Sequence, residues 1–269
     1  MSIITISRGS YSKGKEVAEK AAARLGYACI SRDLVVEASA QFNIPEIKLV
    51  RALHDAPSVL ERFSYGRERY LAYFAAALLE RVQRDNVVYH GLAGHFYLKG
   101  VSHVLNVRIL ADMDDRVHLE MHREGISEDE ALHILKQDDE ERRRWSLKLF
   151  GADTWDPDLY DLVIHTKGMS VDNAAEIICH TVGLGPFRTT PQSQRALDNL
   201  ALAAQARAAL VQSYPDVMVS ASDGTVELTV KGVLGVGRSA GEIRELVERV
   251  PGVKDISVNV EGAGLFFKD

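Results

Sequence analysis

Residues 3–26 read IITISRGSYSKGKEVAEKAAARLG, and this stretch decides the fold. Ile3 to Ile6 form an apolar run of the kind a buried strand needs. Val17, Ala18, Ala21, Ala22 and Leu25 then recur at helical spacing. Between them Gly9, Gly14 and Lys15 fit G-x-x-x-x-G-K in the setting that motif requires, strand before and helix after. Glycines let backbone N–H groups turn toward a phosphate, and the start of the helix adds a favourable field for an anion. Lys15 supplies a mobile positive charge for the terminal phosphates. The loop from Gly9 through Ser10, Ser12, Lys13, Gly14 and Lys15 to Glu16 is therefore the candidate phosphate cradle. Glu16 stands where the motif has Ser or Thr, the hydroxyl that helps hold Mg²⁺. The plain alternative is an ordinary strand-to-helix turn.

Beyond this unit strand and helix patterns alternate. Short apolar runs at 86–90 (NVVYH), 104–110 (VLNVRIL) and 159–165 (LYDLVIH) predict further strands. Helical patterns cover 67–84, 114–123, 127–150 and 170–182, and Ser127 with Glu130 predicts a capping box at the start of the third. Alternation of this kind implies a mostly parallel sheet flanked by helices. Residues 183–194, GLGPFRTTPQSQ, have the composition of a linker. After them the pattern changes to a helix at 196–211, paired strands at 217–220 and 225–230 about a turn at 222–224, a helix at 240–249 and a last strand at 255–260. That order is α-β-β-α-β, a small α+β domain. The expected division is 1–182, a linker at 183–195, and 196–269. Gly235, Gly237 and Gly241 read as a flexible exit from the hairpin.

The chain has 269 residues, enough for one large or two modest domains, and a net charge of −6. That balance offers no general attraction to nucleic acid or anionic membrane, so phosphate binding must come from local clusters of Arg and Lys. Cys29 and Cys179 are far apart and match no metal spacing, as expected of thiols in a reducing cytoplasm. No signal peptide or membrane-spanning run is expected. His118 and His122 share i,i+4 spacing without an evident third ligand.

Several stretches together resemble the cytidylate kinase-like family of P-loop nucleoside monophosphate kinases. They are the loop SRGSYSKGKEVAEKAAARLG (7–26), ISRDLV (30–35), VVYHGLAGHFYL (87–98), and the run from Asp115 to Gly151 followed by DPDLYDLVIHT (156–166). The resemblance covers about two thirds of the chain. It implies a P-loop NTPase-type sheet, ATP with Mg²⁺ as donor, and a nucleoside monophosphate acceptor, CMP or dCMP. An acidic residue after the loop lysine suits this branch. Ser31 and Leu92 depart from its pattern, Leu92 standing where the family carries Arg. The tail, with DGTVELTVKGVL (223–234) and VPGVKDISVNV (250–260), resembles a BON domain, which implies a ligand- or partner-binding role.

The resemblance also implies roles for single residues. Lys15 and Arg142 are the expected catalytic pair, Arg142 being the arginine of a closing lid. Arg142, Arg143 and Arg144 are consecutive on a helix, about 100° apart, so they cannot all face one ligand; Arg143 is the neighbour expected to join Arg142 at the donor phosphates. The ordinary alternative is i,i+4 pairing of Asp138 with Arg142, Asp139 with Arg143 and Glu140 with Arg144. Arg32, Asp33, Arg67 and Arg69 are the candidate acceptor contacts, since a guanidinium fork suits phosphate oxygens. Asp112 and Asp114 follow a strand and either see the site or cap the next helix. Trp145 and Trp155 flank the lid; packing is their ordinary role and stacking on a base the functional one. Nucleotide substrates are the expected partners, no nucleic acid is expected, and a homo-oligomer is allowed. A second reading is a nucleotide-binding regulatory protein with weak catalysis.

Overall fold

The computed structural model describes residues 2–10, 12–31, 65–91, 93–231 and 236–261. The opening run becomes β1 (Ile3–Arg8) and the helix after it α1 (Gly14–Leu25). Ile3 faces one apolar layer, while Ile4 and Ile6 face another with Val17, Ala18 and Ala21 of α1. A strand covered on both faces has no polar side to show, which is why the sequence run is continuous rather than alternating.

The remaining elements of the first unit are β2 (Ala28–Ser31), α2 (Gly66–Val82), β3 (Val87–His90), α3 (Gly94–Tyr97), β4 (Val104–Leu110), α4 (Met113–Glu124), α5 (Glu128–Phe150), β5 (Leu162–His165) and α6 (Val171–Val182). The sheet order is β2-β3-β1-β4-β5, and every pair is parallel. From β1 the chain goes on to β2, on one side of the sheet; from β4 it goes on to β5, on the other. The C-terminal ends of β1 and β4 thus form the switch point at which open α/β sheets take their ligands. Two elements escaped the sequence reading. β2 is four residues long and half exposed, and α3 is a single turn. The run predicted as a strand at 159–165 divides into a 3-10 turn, Pro157–Leu159, and β5.

α3 depends on Gly94. A Cβ there would lie 2.4 Å from Tyr89 Cδ1, and Tyr89 is fully buried. The predicted capping box at Ser127 is present, with Ser127 N donating to Glu130 and Glu130 N to the Ser127 hydroxyl.

Residues 183–190 carry a 3-10 turn (Gly185–Phe187), and Thr189 Oγ1 donates to Asp85 Oδ2 at 2.6 Å. α7 (Pro191–Leu210) follows, capped by Thr190. The second sheet is β6 (Met218–Ser222), β7 (Thr225–Lys231) and β8 (Asp255–Glu261), with α8 (Val236–Glu248) between the last two. β6 and β7 are antiparallel, β7 and β8 parallel. Gly237 and Gly241 fall inside α8, so the flexible exit expected there is helix instead; Gly235 lies outside the described residues.

α7 belongs to both units. Leu197, Ala201, Ala204 and Ala208 are buried with α2 in the first core, and Ala206 and Leu210 with Val226, Leu228 and Ile243 in the second. Its alanines let α2 approach closely on one side while the small sheet packs on another. Leu197→Ala is expected to cost roughly 2–4 kcal/mol, as for other fully buried leucines. Urea unfolding followed by circular dichroism measures it, and a change below about half a kcal/mol would show that α7 does not hold the first core.

Candidate active site

The loop after β1 has the geometry of an anion cradle. Lys13 sits at φ 60° as the residue before α1, and no side chain caps that helix. The N–H groups of the first turn are therefore offered to whatever lies in front of them. Ser12 Oγ donates to Gly9 O at 3.0 Å and closes the loop on itself. Gly14 is needed for close approach: a Cβ there would lie 2.7 Å from Arg8 Cβ, so the arginine stem crosses the loop where only glycine fits.

This loop forms one wall of a cleft of about 640 Å³. Arg8, Ser10, Ser12, Lys13, Gly14, Lys15 and Glu16 line it from the loop side; Leu119 and Arg123 come from α4, and Asp138, Glu141 and Arg142 from α5. Five cations face three carboxylates there, so the cleft favours an anion. The Lys15 ammonium is 3.8 Å from Glu19 and well exposed, a loose surface pair that leaves the side chain able to swing.

Arg116 fastens the α4–α5 hairpin to the loop. Its guanidinium is buried; Nε donates to Ser10 O at 2.7 Å, and Nη1 and Nη2 reach the two oxygens of Asp139 at 2.7 and 2.9 Å. Ser10 Oγ donates to Asp138 at 2.9 Å. Of the three helical pairs expected, Glu140 with Arg144 forms at 3.2 Å. Asp138 accepts from Ser10 Oγ of the loop, Asp139 pairs with Arg116, and Arg143 pairs with Asp153.

The neighbours on α5 therefore part company. Arg142 lines the phosphate cleft, while Arg143 donates to Asp153 at 2.8 Å and lies 5.1 Å over the ring of Trp155. That hydrogen bond holds the Asp153 carboxyl below its usual range. Beside this pair Arg108 donates to Thr154 O, Tyr160 OH donates to the same carbonyl at 3.0 Å, and Tyr160 OH also reaches Ser7 Oγ at 3.3 Å. His95 packs 5.1 Å from the Tyr160 ring. Burial, with help from the Arg108 charge, pushes its pKa down to about 4, so it is neutral at physiological pH.

Among the acceptor candidates, Arg67 donates to Leu149 O at the end of α5 and is absent from the lining of the phosphate cleft. Arg69 sits half-buried in the first turn of α2. Arg32, Asp33 and Leu92 lie outside the described residues. Asp112 pairs with Lys167 and His165, which ties the start of α4 to the segment after β5. Sequence reading missed Arg8, Arg108, Arg116 and Arg123. The one local signal was Arg108, the single charge in a mostly apolar strand.

Residues 3–168 match the cytidylate kinase-like family. The chain belongs to that family, a family of phosphotransferases. A cytidylate kinase of Sulfolobus acidocaldarius is 33% identical over 96 residues, 35% of this chain and 52% of that protein. One from Ignicoccus hospitalis is 27% identical over 180 residues, 66% of this chain and 97% of that protein. The chain thus spans about half the length of the first relative and nearly all of the second. An uncharacterized protein from Eubacterium ventriosum, solved by crystallography, superposes with a TM-score of 0.52 at 22% identity, covering 68% of this chain and 98% of that one. At that identity it supports the fold. No helix among the described residues is long and apolar enough to cross a membrane.

Asp139→Ala would leave the Arg116 charge buried without its partner. The expected loss of stability is about 3 kcal/mol by urea unfolding. A loss no larger than for a surface carboxylate would show that the pair does not fasten the hairpin.

Proposed function

We propose that this chain transfers the terminal phosphoryl group of ATP to a nucleoside monophosphate, CMP or dCMP being the acceptor the family suggests. One observation carries the reading: an uncapped helix start, Lys15 and the lid arginine Arg142 share one cleft. Phosphoryl transfer asks for positioning and charge neutralisation more than for covalent chemistry. The loop N–H groups and Lys15 hold the donor phosphates. Arg142, with Arg8 and Arg123 near it, meets the charge that develops as the phosphoryl group leaves. Gly9, Ser10, Ser12, Lys13, Gly14 and Glu16 shape the cradle. Arg143, facing Trp155, serves the other side of the strand.

Mg²⁺ fits the donor set. It takes phosphate oxygens, water and one or two carboxylates, and Glu16 and Asp138 are the carboxylates at the loop. The ion would neutralise phosphate charge when bound.

In this reading residues 1–182 are the kinase unit, 183–195 connect, and 196–269 are a BON-like unit whose α-β-β-α-β order fits that module. A cytoplasmic location accords with the reaction. Glu16, Ser31 and Leu92, the departures from the expected pattern, favour one second reading, a regulatory protein that binds nucleotide and turns it over weakly, its tail binding a ligand or partner.

Coupled ADP release with ATP and Mg²⁺ across CMP, dCMP, UMP and AMP decides between them. Acceptor-dependent turnover is expected, reduced by roughly a hundredfold or more in Lys15→Ala and in Arg142→Ala. Nucleotide binding by calorimetry with no turnover on any acceptor would select the regulatory reading.

A further inference from the structure

The two tryptophans have opposite fates. Trp145 is buried, edge-on to Tyr70 and against Phe150, a packing residue. Trp155 is 54% exposed, the most exposed large apolar side chain among the described residues. Arg143 covers one face of its ring, so the open area belongs to the rest of it.

An exposed aromatic on a loose loop would mean little, but this one is braced. Asp153 Oδ1 accepts from Trp155 N at 3.0 Å, and its other oxygen holds Arg143. The carbonyl of Thr154, one residue earlier, takes bonds from both Arg108 and Tyr160. Arg108 is the register partner of Ser7, so the brace is built on the ends of β1 and β4, at the switch point. Ile4 and Ile6 face α1, and side chains alternate along a strand; Ser7 and the Tyr160 bound to it therefore lie on the opposite side of β1 from α1. Arg142 and Arg143 repeat this division, one to each side.

We infer that Trp155 is the stacking platform for the heterocyclic base of the phosphoryl acceptor, backed by Arg143 and set across the end of β1 from the donor phosphates. This rests on the kinase reading above. A flat, rigid ring binds any base face at low entropic cost, and cation–π contact on its back face steadies it. Donor and acceptor then approach from the two sides of one strand end.

The chain has two tryptophans, so the emission difference between wild type and Trp155→Phe isolates Trp155. Titration with CMP in the absence of ATP should quench that emission saturably, and ribose 5-phosphate, which has no base, should not. In steady-state kinetics Trp155→Ala should raise the acceptor KM by roughly tenfold or more, with the KM for ATP within about twofold of wild type. Trp155→Phe, which keeps a ring, should recover most of the loss. Unchanged acceptor KM in Trp155→Ala, or a rise confined to ATP, would overturn the platform while leaving the kinase reading in place. A wild type without turnover on any nucleoside monophosphate would instead sink the kinase reading, and the CMP quench alone would then decide the platform.

Discussion

The buried guanidinium of Arg116 is the contact on which the site depends. A charge taken out of water must be fully paired, and Arg116 is paired in two directions at once, to the Ser10 carbonyl of the phosphate loop and to both oxygens of Asp139 on α5. Loss of Asp139 leaves the cation without its counter-charge in a dry environment, and loss of the Ser10 carbonyl leaves a buried N–H without an acceptor. The loop and the α4–α5 hairpin are therefore held in one register, and the cations that α4 and α5 carry, Arg123 and Arg142, line the same cleft as Lys13 and Lys15. Ser10 Oγ to Asp138 adds a second, weaker tie of the same kind.

That tie explains why the charge pattern on α5 misleads when read as a helix alone. Asp138, Asp139, Glu140, Arg142, Arg143 and Arg144 have ideal spacing for three surface pairs. An exposed pair is worth a few tenths of a kcal/mol, about 0.3–0.5 for i,i+4. A bidentate bond from a desolvated arginine, or a bond to a loop hydroxyl, outweighs it. Asp138 and Asp139 therefore reach partners beyond their own helix, and the exposed pair Glu140 with Arg144 follows the local rule.

The parallel core was legible because β1, β3 and β4 are largely buried and carry short runs of large apolar residues; the phosphate loop was legible because its glycines answer a local need. β2 was not, since ACIS is four residues at the sheet edge with two exposed positions, and nothing in it distinguishes strand from loop. At the site, the loop residues and Arg142 could be named from spacing. Arg8, Arg116 and Arg123 could not, because their roles come from contacts with residues far away in the chain, 106 positions in the case of Arg116 and Ser10. Long-range pairing leaves no period in a single sequence. The same holds for the divergence of Arg142 and Arg143: helical geometry says that neighbours must part, but only the positions of Asp153 and Trp155 say where the second one goes.

α7 shows how composition conceals a structural decision. The stretch 183–194 has the Gly, Pro, Thr and Ser content of a linker, and a linker would leave the tail free to move. Thr189 instead bonds to Asp85, itself beside the buried His103, and Phe187 packs on the apolar layer between the first sheet and α1 and α6. From Pro191 onward one helix supplies apolar side chains to both cores. Sliding α7 by one turn would strip Leu197 from the first core and Leu210 from the second together, so the two units constrain each other through a shared wall. The wall reaches toward the site as well. Arg207 on α7 is half-buried within reach of the charges of Tyr97 and Glu68, and its partial burial lowers its pKa. Tyr97 in turn meets Phe150 edge-on, at the C-terminal end of the helix that carries Arg142 and Arg143. Leu197, Ala201 and Ala204 of α7 also share the first core with Trp145 and Leu149, so one apolar cluster joins the helix that carries the tail to the C-terminal end of α5.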